Sequence, residues 1–350
     1  MHGGKMLFRI NLKRILVTIG VTFMYITCGA TMSPAKSHSG TISMTVDLSS
    51  HAAKDAAELW IPYPVSDKDQ NVTDVKVSGD YATSAVYTDN TYSTPMLYAR
   101  WEKGMASRKL TFSFHARRNE LIRRDFPAKE AVWDPADYAI YLQATKLGPL
   151  DGEVGKLAAK ITTGKKTVLD KAKAVYDWTC ANTYRDPKTR GCGSGDVCSL
   201  LQNPGGKCAD ISSVFIALAR AAGVPAREVF GIRMGKKDRE DVTSWQHCWA
   251  EFYLPGYGWV PVDAADVRKA MLTENLKLKD AKTVGYQDYF WGGIDPYRVK
   301  LSAGRDLILN PPQPGVPVNY LMYPFARVGD KIIDWLDPAA FKYSIIYTSK

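Results

Sequence analysis

The stretch Gly205-Gly206-Lys207-Cys208-Ala209-Asp210 runs into Ile211-Ser212-Ser213-Val214-Phe215-Ile216-Ala217-Leu218-Ala219-Arg220-Ala221-Ala222-Gly223-Val224-Pro225, and its reading decides the fold. A glycine turn leads to a cysteine. An apolar face then recurs at helical spacing through Ile211, Val214, Phe215, Leu218 and Ala222. Gly223 and Pro225 end the pattern, so a helix is predicted over 208–222 with Cys208 at or just inside its N-terminus. Unsatisfied N–H groups and the helix dipole favour negative charge there, which lowers a thiol from its ordinary pKa of ~8.5. The same N–H groups can donate to an oxyanion, and Asp210 reads as a first-turn helix charge.

Downstream lie Gln246-His247-Cys248-Trp249-Ala250-Glu251 and Gly258-Trp259-Val260-Pro261-Val262-Asp263, two strands joined at Pro255-Gly256-Tyr257-Gly258. Strand alternation puts His247, Trp249 and Glu251 on one face, and Cys248, Ala250 and Phe252 on the other. His247 is therefore expected to face the thiol while Cys248 points away into a disulfide. Asp263 is expected to accept the Nδ1 proton of His247. Taken singly, each residue has a duller reading: half a cystine, a structural imidazole, a turn aspartate. In chain order after a glycine turn, they form a nucleophile, a base and an orienter. Trp178, Trp249 and Trp259 read first as core aromatics.

The chain has 350 residues, 45% of them hydrophobic, enough for two or three compact units. Lys5, Arg9, Lys13 and Arg14 precede the apolar run Ile15 to Tyr25 and the small residues Gly29-Ala30, the pattern of a secretory signal over 1–30. That run is too short for a comfortable membrane span. Cys28 could carry a lipid anchor, although Tyr25 fits that motif poorly. Those four cations fall in a segment without acidic residues, so the rest of the chain carries +6 of the formal +10. No dense basic stretch alternates with aromatics, and nucleic-acid binding has no support.

Cys180, Cys192, Cys198, Cys208 and Cys248 follow the signal, an odd number in an oxidising compartment. The simplest account leaves Cys208 free and pairs the other four in one of three ways. A metal site of Cys192, Cys198, Cys208 and His247 competes weakly, because its spacing matches no common zinc pattern.

A linker is expected over 31–40, then a β-sandwich-like domain over 41–125, where Thr41 to Leu48 and Lys109 to Ala116 alternate. Helices are predicted over 151–163 and 167–182, and a strand over 227–234. The catalytic domain is drawn over 126–300, with a C-terminal extension over 301–350 packing upon it.

Gly206-Lys207-Cys208-Ala209-Asp210 with Ala217 to Arg227 resembles the nucleophile segment of the transglutaminase-like superfamily. His247 to Tyr253 and Gly258 to Asp263 resemble its histidine and aspartate segments, so the likeness covers about residues 165–265. The resemblance implies an α+β, papain-like core in which the nucleophile helix packs on an antiparallel sheet, here preceded by a small β-sandwich. It also implies a thioester intermediate without a metal or other cofactor, and catalytic roles for Cys208, His247 and Asp263. An upstream aromatic often assists the oxyanion in this superfamily, which makes Trp178 and Tyr184 candidates; Lys207 and Trp249 are further cleft candidates. Ala264-Ala265 departs from the family's usual Pro-Thr after the aspartate. The expectation is an exported enzyme acting on peptide or carboxamide bonds, hydrolysis favoured over transamidation. The alternative is a non-catalytic binding or scaffolding module of the same fold.

Overall fold

The computed structural model describes residues 36–349. The signal and anchor expected within residues 1–30 lie outside them. Six strands open the described chain: β1 (Ser37–Asp47), β2 (Ala57–Pro62), β3 (Gln70–Gly79), β4 (Thr83–Thr88), β5 (Pro95–Trp101) and β6 (Lys109–Asn119). β1 and β6 alternate buried and open positions, and their antiparallel register pairs Ile42 with Phe114, Met44 with Phe112 and Val46 with Leu110. Two-residue periodicity thus places a continuous apolar stripe on one face.

The middle of the chain supplies β7 (Leu121–Ile122), α1 (Gly152–Ile161), α2 (Val168–Asn182), β8 (Tyr184–Arg185), α3 (Val197–Gln202), β9 (Gly205–Gly206), α4 (Cys208–Ala221), β10 (Ala226–Arg233), β11 (Arg239–Asp241), β12 (Gln246–Leu254), β13 (Gly258–Val262), α5 (Ala264–Thr273), α6 (Ala281–Phe290), β14 (Gly293–Ile294) and β15 (Arg298–Ala303). The chain closes with β16 (Phe325–Val328), β17 (Lys331–Ile333) and β18 (Lys342–Thr348).

Two five-stranded sheets form the sandwich, in the orders β11-β18-β1-β6-β3 and β17-β16-β2-β5-β4. They share a core in which Ile42, Met44, Phe112 and Ile345 meet Leu59, Ile61, Leu97 and Ala326. The expected extension over 301–350 is therefore corrected. β15 belongs to the central sheet, whereas β16, β17 and β18 complete the sandwich begun by the N-terminal strands. The physical reason is edge pairing: β18 hydrogen-bonds along β1, and β16 along β2, covering edges that the first six strands leave open.

The central sheet has the order β13-β12-β10-β15 and all its pairings are antiparallel. α4 lies against one face of it, its apolar side buried with Cys248, Ala250, Phe252 and Phe230. Elsewhere on this sheet Ile232, Val299 and Leu301 join the sandwich core. β12 is buried almost throughout, since both its faces are covered. The fold is α+β with the helix that begins at Cys208 packed on an antiparallel sheet. Among the described residues, no helix is long and apolar enough to cross a membrane.

Candidate active site

α4 begins at Cys208 with Lys207 in extended backbone conformation as the capping residue. Asp210 closes the turn: its carboxylate accepts from the Lys207 N–H at 3.0 Å and from the Gly195 N–H at 2.8 Å. This ties the cysteine-bearing loop to the helix start. Gly193 makes the approach possible, because at its φ of 93° a Cβ would collide with the Asp210 carboxylate. The Ala209 N–H donates to the Cys192 carbonyl at 2.9 Å. As the first residue of the helix, Cys208 presents its N–H without an acceptor inside the helix. At the far end Gly223 (φ 78°) turns the chain, and the Val224 N–H returns to the Ala219 carbonyl at 2.9 Å.

Three elements bring the expected trio together. Cys208 starts α4, His247 is second in β12, and Asp263 sits between β13 and α5. Cys208 and His247 line one cleft, close enough for the ring to act on the thiol. His247 Nε2 donates to Asp263 Oδ2 at 2.7 Å. This corrects the expectation that Nδ1 would meet the aspartate: with Nε2 committed, Nδ1 is the nitrogen left for the thiol. Asp263 uses its other oxygen, Oδ1, to cap α5 by accepting the Asp266 N–H at 2.8 Å. The Ala264-Ala265 departure thus costs the aspartate nothing in orientation, since the helix start itself holds it.

Two arginines that sequence reasoning missed complete this cluster. Arg298, fully buried, donates through Nη1 to Asp263 and through Nη2 to Asp266 at 2.6 Å, and pairs with Asp295 at 2.9 Å. Arg233 grips both Asp266 oxygens at 2.6 and 2.7 Å. The three carboxylates oppose two guanidinium groups, which leaves one negative charge for an imidazolium to balance. Burial and Arg233 work against a charged ring, yet Asp266 and Asp263 prevail and His247 titrates above its usual value. The His247–Asp263–Asp266 group is the only cluster among the described residues with metal-ligand spacing. The cation between its two carboxylates is Arg298.

The cysteines depart from expectation. Cys180, Cys192, Cys198, Cys208 and Cys248 are all unpaired thiols, so the four disulfide candidates form no bridge. Cys180 is enclosed on α2 beside Tyr176, where burial pushes its thiol up to about 12. Cys198 is exposed on α3, and the competing four-ligand metal set is not assembled. Cys192 and Cys248 both sit close enough to act on the Cys208 sulfur, and the Cys192 thiol itself donates to the Gln246 carbonyl at 3.5 Å. Cys248 was expected to point away; in fact α4 packs on the Cys248 face of β12, and its first residue lands over that thiol. The neighbouring thiols Cys192 and Cys248, with His247, overcome desolvation and hold Cys208 well below an ordinary thiol. Cys192 and Cys248 are correspondingly raised. The arrangement can hold a thiolate beside an imidazolium at neutral pH.

A cleft of about 1220 Å³ opens above Cys208 and His247. Of the cleft candidates, Lys207 lines it. The other three cleft candidates do not. Trp249 packs with Val229, Ile294 and Leu121. Trp178 leans on the helical core, and Tyr184 lies over Gly205, 43% exposed, with its hydroxyl on Asn203 Oδ1 at 3.0 Å. Gln246 is the cleft residue that sequence reasoning passed over. It is 7% exposed, on the Cys248 side of β12, and its Nε2 is buried without a hydrogen-bond partner among the described residues. The adjacency to His247 was its only signal.

A thiol at a helix start, with a histidine on the first strand of a following hairpin and an aspartate just after the second, is the arrangement of the papain-like class of folds. The profile of the transglutaminase-like superfamily matches residues 155–264, and the chain belongs to that superfamily. An uncharacterized protein of Haemophilus influenzae is 36% identical over 317 residues, spanning 83% of this chain and 85% of the relative. The uncharacterized protein YebA of Bacillus subtilis is 31% identical over 125 residues, 32% of this chain and 17% of that one. A solved protein of Cytophaga hutchinsonii, provisionally described as a cysteine protease, superposes with a TM-score of 0.54 at 16% identity, covering 90% of this chain and 99% of its own. The last likeness is one of fold.

Proposed function

We propose that this protein is an exported cysteine acyl-transfer enzyme that cleaves peptide or carboxamide bonds through a thioester. The observation that carries the reading is Cys208 beside His247 at the floor of an open cleft, with His247 hydrogen-bonded to Asp263. The Cys208 thiolate attacks the carbonyl carbon and forms the C–S bond. The His247 imidazolium gives its Nδ1 proton to the leaving nitrogen as the C–N bond breaks. Neutral His247 then takes a proton from water, hydroxide attacks the thioester, and the acid departs with the thiolate restored. Asp263 holds the ring by Nε2 throughout. The Cys208 N–H and the unpartnered Gln246 amide are suited to receive the oxyanion. Water is favoured as acceptor because the cleft is broad and solvent-accessible. Export rests on the basic and apolar pattern of residues 1–30.

Two measurements test this. Iodoacetamide should modify Cys208 rapidly in the native protein near neutral pH, and a resistant Cys208 sinks the reading. Release of amine or ammonia from peptides and carboxamides, with and without an added primary amine, then separates hydrolysis from transamidation. Amine incorporation with little hydrolysis reverses the preferred order.

A further inference from the structure

We infer that the cleft selects an acidic peptide: a segment carrying Asp or Glu side chains next to the bond presented to Cys208. This deepens the proposed reaction and rests on it. The cleft is larger than the ~300–1,000 Å³ of ordinary small-ligand pockets, which suits several residues of an extended chain. Its charge is lopsided. Arg185, Lys207, Lys269, Lys36 and Lys236 line it together with the thiol. Among the described residues none of these five has a carboxylate within 4.0 Å, unlike Lys282, which is paired with Glu274. The two acids of the lining are already engaged: Asp295 with Arg298, and Glu120 with the Tyr289 hydroxyl. Desolvation, with Arg233 and Arg185 set against Asp266, lowers the Lys269 ammonium.

Among the described residues no carboxylate pairs with these five cations. Residues 1–35 contain no Asp or Glu. A second copy is disfavoured, since the chain beyond residue 30 is itself basic at +6 of the formal +10. A nucleic acid would satisfy the charge, but the thiolate at the floor requires a carbonyl carbon, which a phosphodiester lacks. A peptide with carboxylate side chains supplies both the carbonyl and the charge.

The test uses the thiol as its own reporter. Alkylation of Cys208 by anionic iodoacetate and by neutral iodoacetamide is followed by mass spectrometry of the Cys208 peptide, with glutathione as reference. The iodoacetate-to-iodoacetamide rate ratio should exceed that of glutathione by about tenfold at low ionic strength and collapse toward it in ~0.5 M salt. Arg185→Gln and Lys269→Gln should each lower the ratio severalfold, with iodoacetamide still reacting. Hexaglutamate should protect Cys208 from iodoacetamide, and hexalysine should not. Fast iodoacetamide reaction with a glutathione-like ratio and no preference between the hexapeptides overturns this inference and leaves the reactive thiol standing. Better protection by a short oligothymidylate than by hexaglutamate overturns the choice of a peptide. Failure of iodoacetamide itself to react defeats the underlying reading instead.

Discussion

His247 Nε2 and Asp263 Oδ2 lie 2.7 Å apart, while Asp263 Oδ1 caps α5. One carboxylate therefore fixes a helix start and a ring tautomer together. The helix holds the aspartate, the aspartate holds the ring, and the ring presents Nδ1 to Cys208.

Asp263→Asn should separate these two jobs. Asparagine caps a helix nearly as well as aspartate, so the fold should survive. The ring loses a negative partner, and its Nε2 then faces either an amide oxygen or an amide N–H. Turnover should fall by ~10²–10⁴-fold, with the alkylation profile of Cys208 moved to higher pH. A variant with undiminished turnover and an unmoved profile would remove Asp263 from the site.

The pair also predicts how stability follows pH. Folding favours the Cys208 thiolate, so that contribution is complete above the unfolded thiol pKa and is lost as pH falls through the lower folded value. Folding favours the His247 imidazolium, so that contribution is complete below the unfolded histidine pKa and is lost as pH rises through the raised folded value. Alkylation by iodoacetamide should titrate well below the ~8.5 of a free thiol. In urea unfolding, Cys208→Ala should remain folded and should lose the acid edge that thiolate protonation gives the wild type. Identical stability profiles for the two proteins would argue against a resting ion pair.

Gln246→Ala removes the unpartnered amide and leaves the thiol and ring in place. Turnover should drop by ~10²–10³-fold, the cost of losing one oxyanion donor, while iodoacetamide alkylation, which builds no oxyanion, should stay near its wild-type rate. Equal losses in both reactions would mean that the residue acts on the thiol instead.

Cys192→Ala removes a thiol that neighbours the Cys208 sulfur. The alkylation midpoint should rise and the rate at mildly acidic pH should fall, with little change where the thiolate is already complete. A midpoint that stays put would show that Cys248 and His247 alone set the value.

Much of this arrangement was legible in the sequence because it is local. The apolar face from Ile211 to Ala222, the Gly223 stop and the hairpin at Gly256-Tyr257-Gly258 announce themselves within a few residues, and they fix where Cys208, His247 and Asp263 sit. What was illegible depends on distant packing. Alternation correctly separated Cys248 from Trp249, but it could not say which face α4 would cover, and that face carries Cys248 to the thiol. Arg298 stands 35 residues beyond Asp263 on a strand with no motif around it. The sandwich takes its last strands from the C-terminus, because edge pairing leaves no local signature.

Arg298→Met probes that hidden support. The guanidinium is fully buried against Asp263, Asp266 and Asp295, and a methionine of similar length fills its volume without its charge. Three carboxylates would then share Arg233 and His247, and stability near neutral pH should fall by ~3–5 kcal/mol in urea unfolding. The carboxylate partners give the result a sign. Despite burial, Arg233 and Arg298 hold Asp266 below the usual carboxylate range, so in the wild type its contribution is present above the unfolded pKa and is lost as pH falls through the folded one. Without Arg298 that carboxyl protonates more readily, which relieves the repulsion, and the gap between variant and wild type should narrow as pH is lowered toward the carboxylate range. A deficit that is constant with pH would mean that Arg298 contributes packing alone, and that the charge balance assigned to this cluster is wrong.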